Sequence, residues 1–363
     1  MREAGIDPAG DFVITGLGMV TSVGLDMVHS CSSIRAGLTR FNAYDDHYCF
    51  PAEHGEHEAE PVVGARVPLS MEGRERLPVL LQAAVQDLVR NTESRSDTFA
   101  RAKTFVGLPL ALRTGAVRDF LGVEQAREAL QKIGPGANSD DMSFFLSGGV
   151  AFLDALEGAC RAIAAGQSEA GIVVCADSYH DPHTLAWLDG KMRLKSQRNR
   201  DGFIPGEAAA AVRVESAASA QANGSAILAR IESMGRSVEP RSIKSGEPST
   251  AVGLTQAISQ VVGAETGEVA WVACDLNGES YRAQEWGNAQ VRHTGVFRNL
   301  QHLWHPADCT GDVGAASAGL LTVIAVRAMQ RGYAPADRCL IWTAADDGQR
   351  SSVLISRVGP SPL

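Results

Sequence analysis

An internal duplication constrains this chain more than any other feature. Ser147 to Ser178 reads SGGVAFLDALEGACRAIAAGQSEAGIVVCADS, and Thr310 to Gly348 reads TGDVGAASAGLLTVIAVRAMQRGYAPADRCLIWTAADDG. Each copy has a Gly-rich start, an Ala-crowded helix, a Gly stop and a short apolar strand that ends in Ala-Asp. A helix with small residues on several faces belongs in an interior, because Ala and Gly let neighbouring backbones approach closely. One such helix per half implies two related βα units around a shared centre. The two helix starts are read at Gly148–Gly149 and Gly311–Asp312. Helix N-termini favour anionic chemistry, so what stands there bears on function.

The bulk numbers narrow the field. At 363 residues the chain is long enough for one large duplicated domain. A net charge of -9 gives no reason to expect nucleic acid or an anionic membrane as partner. No apolar run approaches the roughly 20 residues of a bilayer span. The first residues, MREAGIDPAGD, hold no apolar signal core. Seven scattered cysteines without a CxxC pair exclude a disulfide framework or zinc cluster as the organising feature. The expectation is a cytoplasmic protein with reduced cysteines.

Alternating elements indicate an α/β layer structure with mostly parallel pairing. Phe12 to Thr15 is read as a strand entering a Gly-punctuated loop, GLGMVTSVG. Helices are expected over Leu25 to Gly37, Arg76 to Val89, Leu121 to Ile133 and Val252 to Val262. Strands are expected over Thr104 to Leu110, within GFIPGEAAAAVRVES, over Ala226 to Glu232 and over Val269 to Cys274. Asn42 to Pro68 reads as a surface excursion and Leu185 to Asp201 as a charged loop. The stretch SAQANGS, within Ala218 to Ser225, marks a seam between halves 1–217 and 218–363, which together make one compact unit. The GLGMVTSVG loop fails as a dinucleotide fingerprint, since Thr21 stands at the third glycine. His54 and His57 lack a third metal ligand, and a solvated loop is the simpler account.

Three stretches resemble the β-ketoacyl synthases, the condensing enzymes of fatty acid and polyketide synthesis. They are VITGLGMVTSVG, RDGFIPGEAAAAV (the most specific) and GDVGAASAGLLTVIAVRAM, in the family's order. The resemblance implies the thiolase-type fold, a duplicated five-layer αβαβα core with two buried central helices. It also implies a homodimer, or a heterodimer with another ketosynthase-fold chain, and acyl carrier protein as a partner. No cofactor or metal is implied.

That family needs a cysteine at the first central helix and two histidines that assist decarboxylation. The helix dipole lowers the thiol pKa, and backbone N–H groups form an oxyanion hole. Counting back from Ala164-Ala165-Gly166 puts the nucleophile position on Gly149. The first histidine position falls on Asn277, before Gly278, and the second on Gly311. The family's lysine falls near Pro306, and its Gly-Phe-Gly-Gly gate loop is replaced by AADDGQR, Ala344 to Arg350. Nothing that condensation needs stands at these positions.

Other residues are candidates for a rebuilt site. Ser147 lies two residues from the nucleophile position and is otherwise a helix cap. Cys309 sits near the second helix start. Glu279, Arg282 and Glu285 are spaced to share a helix face, and Tyr281 pairs with Glu285 at i,i+4. His305, Asp308 and Asp312 crowd one entrance. Both groups should converge on the old active-site cavity, either as an ion-pair plug or as a new ligand site. The cavity is expected to be narrower than in a working synthase. The chain is therefore read as a non-condensing partner, scaffold or acyl-carrier-binding protein, with a rebuilt acyltransferase or thioester hydrolase as the alternative.

Overall fold

The alternation of side chains along the strands decides the architecture. In β6 (Ala170–Ser178), Val173 and Cys175 face one apolar cluster, while Ile172, Val174 and Ala176 face another. In β11 (Arg338–Ala344), Cys339 and Ile341 join the same cluster as Val173, and Leu340 and Trp342 face a third. Strands apolar on both sides must be covered on both sides. The shared cluster holds the two central helices, Ala151–Ala164 and Ser317–Arg331. The outer clusters hold helix Arg76–Asn91 on one flank and helices Val252–Val261 and Ser280–Arg292 on the other. Helix, sheet, central helix pair, sheet and helix make five layers, as expected. This computed structural model describes residues 11–49, 59–92, 101–110, 119–133, 141–263 and 266–359, so His54 and His57 lie outside the described residues.

The sheet itself records the duplication. Its remaining strands are β1 (Phe12–Thr21), β4 (Ala102–Gly107), β5 (Met142–Phe145), β7 (Glu207–Ser216), β8 (Ala229–Val238), β9 (Trp271–Cys274), β10 (His302–Trp304) and β12 (Gln349–Ser356). Their order is β10-β9-β11-β12-β8-β1-β7-β6-β4-β5, so β5-β4-β6-β7-β1 mirrors β10-β9-β11-β12-β8. The two blocks touch only through three residue pairs, Phe12 to Ile14 against Ile231 to Ala229. Pairing is mixed rather than mostly parallel. The pairs β4–β5, β4–β6, β9–β10 and β9–β11 are parallel, and the rest of the sheet is antiparallel. Parallel pairing needs a helical crossover, and only some connections here carry one.

Several local expectations are corrected. The GLGMVT stretch is not a loop, because β1 runs through it to Thr21 with every residue buried. Its glycines serve packing: a Cβ on Gly18 would lie 2.2 Å from the Ala84 carbonyl oxygen of the covering helix. Within 42–68, β2 (Asn42–Cys49) pairs with β3 (Glu60–Gly64), and Cys49 and Val62 are buried against Leu185 and Leu188. The charged stretch after 181 begins with helix Pro182–Gly190, which Asp181 caps through the Thr184 N–H. The SAQANGS seam is helix Ala217–Asn223, closed by Gly224 in the left-handed conformation. All seven cysteines are buried and unbridged. Among the described residues no helix is long and apolar enough to cross a membrane, and no cluster of three metal-ligating side chains occurs.

Candidate functional site

Each central helix begins with a single tight turn, Gly148–Val150 or Gly314–Ala316. The turns are conformational twins. Ser147 and Val313 have φ,ψ of -110°,18° and -113°,19°, and Gly148 and Gly314 both take positive φ, at 59° and 51°. The second start is therefore Gly314, three residues later than the Gly311–Asp312 of the sequence register. Residues 310–312 are instead held to the loop before β7. Asp312 N–H donates to the Ile204 carbonyl, and Gly206 N–H donates to the Asp312 carbonyl, both at 2.8 Å. A Cβ on Gly206 would sit 2.2 Å from the Thr310 oxygen, which accounts for the glycine in IPGE.

The three positions named from the sequence resemblance, Gly149, Asn277 and Gly311, are crowded by backbone or carry an amide. A Cβ on Gly149 would lie 2.3 Å from the Ala344 carbonyl oxygen, so the end of β11 leaves no space for a side chain at this position. A Cβ on Gly311 would meet the Ile204 oxygen at 2.6 Å, at a φ of 69° that side chains rarely adopt. Asn277 donates from Nδ2 to Asp312 Oδ2 at 2.6 Å and to Glu279 Oε2 at 3.0 Å.

Around these positions lies an ion-pair network. Arg193 holds Glu279 in a two-pronged pair, Nε to Oε1 at 2.7 Å and Nη2 to Oε2 at 2.8 Å. Its remaining Nη1 reaches Asp346 Oδ2 at 2.6 Å. Arg282 pairs through Nη1 with Asp275 Oδ2 at 2.9 Å and donates to the Ala344 oxygen at 3.1 Å, while Nη2 faces Asp346 Oδ1 at 3.5 Å. Asp275 Oδ2 also accepts the Ala344 N–H, and Asp312 Oδ1 the Gly314 N–H. Two guanidiniums thus face four carboxylates. Burial pushes the Asp275 carboxyl up to about 6, although Arg282 opposes the shift. Burial raises Asp312 as well. Burial alone would lower Arg282, and the carboxylates led by Asp275 and Asp312 reverse that and raise it.

A small cleft remains above the network, bordered by Gly149, Trp187, Lys244, Arg282, Asp312 and Asp346 among others. Among the described residues its volume is about 20 Å³, room for one or two waters.

The other sequence candidates are dispersed. Ser147 makes no cap and instead donates to Asp154 Oδ2 at 2.5 Å, because the buried Asp154 carboxylate needs a donor. His305 pairs with Asp308 at 2.9 Å at the half-exposed surface, apart from Asp312. Cys309 is buried, which raises its thiol pKa, the opposite of an activated nucleophile. None of Ser147, His305 and Cys309 lines the cleft. Glu285 leaves the group too. It pairs with Arg350 at 2.9 Å and accepts from Ser249 at 2.9 Å rather than from Tyr281, whose hydroxyl donates to the Arg241 oxygen.

Sequence reasoning missed Arg193, Asp275 and Asp346. Asp275 sits just past the end of β9, beside the carboxyl end of a strand where such folds place functional groups. Asp346 lies in a turn, and Arg193 in a charged stretch with no periodicity to mark it.

Five layers, a mirrored strand order and paired central helices define the ketosynthase type of thiolase fold. No family model and no curated protein matches the chain. Solved structures do. One is a type II PKS acyl-carrier protein in complex with its ketosynthase bound to the hexaketide, at TM-score 0.75 and 14% identity, covering 96% of this chain and 100% of that one. The ishigamide ketosynthase/chain length factor matches at TM-score 0.75 and 16% identity, with the same coverage. A β-ketoacyl synthase from Burkholderia phymatum STM815 matches at TM-score 0.69 and 17% identity, covering 96% of this chain and 100% of that one.

Proposed function

We propose that this chain is a ketosynthase-fold protein that does not condense acyl chains, and that it works as a non-catalytic partner or acyl-carrier-binding protein. One observation carries the reading: the Ala344 carbonyl stands where a nucleophile on Gly149 would need its Cβ. Loss of a whole catalytic unit costs roughly 10⁶-fold in turnover, so residual chemistry at these positions would be negligible. A solved ketosynthase/chain length factor of the same fold makes a heterodimer with another ketosynthase-fold chain a concrete form of the proposal. A homodimer is the other form. Acyl carrier protein is the third partner proposed, in keeping with the carrier–ketosynthase complex of similar fold. The halves 1–217 and 218–363 are taken to act as one unit, in the cytoplasm.

Intact-mass measurement after incubation with acetyl- and malonyl-loaded carrier tests this directly. The unmodified mass is expected, with carrier binding retained in a separate binding assay. A stable adduct, abolished by Cys309→Ala or Ser147→Ala, would establish the acyltransferase or thioester hydrolase alternative instead.

A further inference from the structure

We propose that Arg193 and Arg282 form a binding site for a small anion bearing a carboxylate or phosphate, which Asp346 of the same chain fills as an internal stand-in. The two arginines come from separate segments, yet each directs one terminal nitrogen at the same carboxylate. Arg193 Nη1 takes Asp346 Oδ2 at 2.6 Å and Arg282 Nη2 faces Oδ1 at 3.5 Å, one guanidinium per oxygen. Both side chains are about nine-tenths buried. Each is also anchored away from Asp346, Arg193 by Nε and Nη2 on Glu279 and Arg282 by Nη1 on Asp275 and the Ala344 oxygen. The fork therefore stays aimed when Asp346 leaves, and such preorganisation is what makes a guanidinium pair suited to the oxygens of a carboxylate or phosphate.

Asp346 differs from the other carboxylates of the network. Its side chain is 19% exposed, against 5% for Glu279 and 6% for Asp275. It sits in a tight turn closed by backbone bonds, Gly348 N–H to the Ala345 oxygen and Ala345 N–H to the Gln349 oxygen. A rotation of the Asp346 side chain breaks neither bond. The cleft it borders also carries Lys244, an exposed cation at the mouth. With Asp346 swung out, the site keeps two guanidiniums against Asp275, Glu279 and Asp312. Burial holds Asp275 at about 6 and raises Asp312, so mildly acidic solution lessens the repulsion of an incoming anion.

The test is isothermal titration of the full-length protein at about pH 6 with malonate and, separately, with inorganic phosphate. Removing the internal competitor in Asp346→Ala should tighten binding by about tenfold or more, the factor expected if the stand-in occupies the fork about nine-tenths of the time. Adding Lys244→Ala should weaken it again by about threefold, as for an exposed charge. Tighter malonate than phosphate identifies a carboxylate ligand, and the reverse order a phosphate. Asp346→Asn, which keeps the side chain's shape, gives the same comparison should the alanine variant fail to fold. If variants that melt like the wild type bind neither anion more tightly than it does, the proposal is wrong. This site stands apart from the partner reading, since carrier binding can fail while malonate still binds, and the converse.

Discussion

At Gly149 the distance that matters is the 2.3 Å between an added Cβ and the Ala344 oxygen. Placing a cysteine there would push the end of β11 outward, and Gly149→Cys should lower stability by about 1–3 kcal/mol without yielding an acylated protein. Urea denaturation and intact mass check the two halves of that statement. Asp275 carries a pH signature. Its folded pKa of about 6 lies above the ordinary range of an aspartate, so the folded state binds this proton more tightly than the unfolded state. Its contribution to stability therefore falls as pH rises from about 4 to about 6. Asp275→Asn should remove that downward slope relative to wild type across the same interval, and an unchanged slope would mean that burial does not perturb the carboxyl. At this scale the sequence drew attention to some residues of the network and not to others. Gly149, Asn277 and Glu279 were legible because register and helical spacing place them. Arg193 and Asp346 were not, because their encounter spans 153 residues and depends on two irregular segments.

Among the elements, the turn between β11 and β12 supplies both the carbonyl over Gly149 and the Asp346 carboxylate. It can do so because Gly348 adopts a φ of 106°, with the space of a Cβ taken by the Glu239 oxygen at 2.6 Å. Gly348→Ala should cost about 1–3 kcal/mol, visible as a lower urea midpoint with an unchanged slope. A change in slope would instead indicate that the hairpin opens as a separate step. Helices with clear amphipathic or small-residue patterns were legible within a few residues, as in Arg76–Asn91 against an expected Arg76 to Val89. Helix Pro182–Gly190 was hidden by its mixed composition, although Asp181-Pro182 is a start signal. The left–right sense of strand pairing was not legible, because side-chain alternation is the same in parallel and antiparallel neighbours.

Across the whole molecule, the central cluster draws on both halves, from Phe12, Phe152 and Val173 to Leu320, Ile341 and Ile355. Halves that share one core should melt together. Calorimetry is expected to show a single transition whose measured enthalpy equals its van't Hoff enthalpy, and two separable peaks would refute the single-unit view. The duplicated segments made this layout legible from the sequence, whereas the mirrored strand order needed the fold itself. The entrances add a crossed arrangement: Asp177, from β6, receives the N–H of Ala315, while Ala344, from β11, closes over Gly149. Each repeat thus furnishes the doorpost of its twin. A chimera that grafts one repeat from a related chain would inherit a threshold shaped for another lintel. A change on one side of the seam therefore calls for a matching change on the other, so the two entrances behave as one unit.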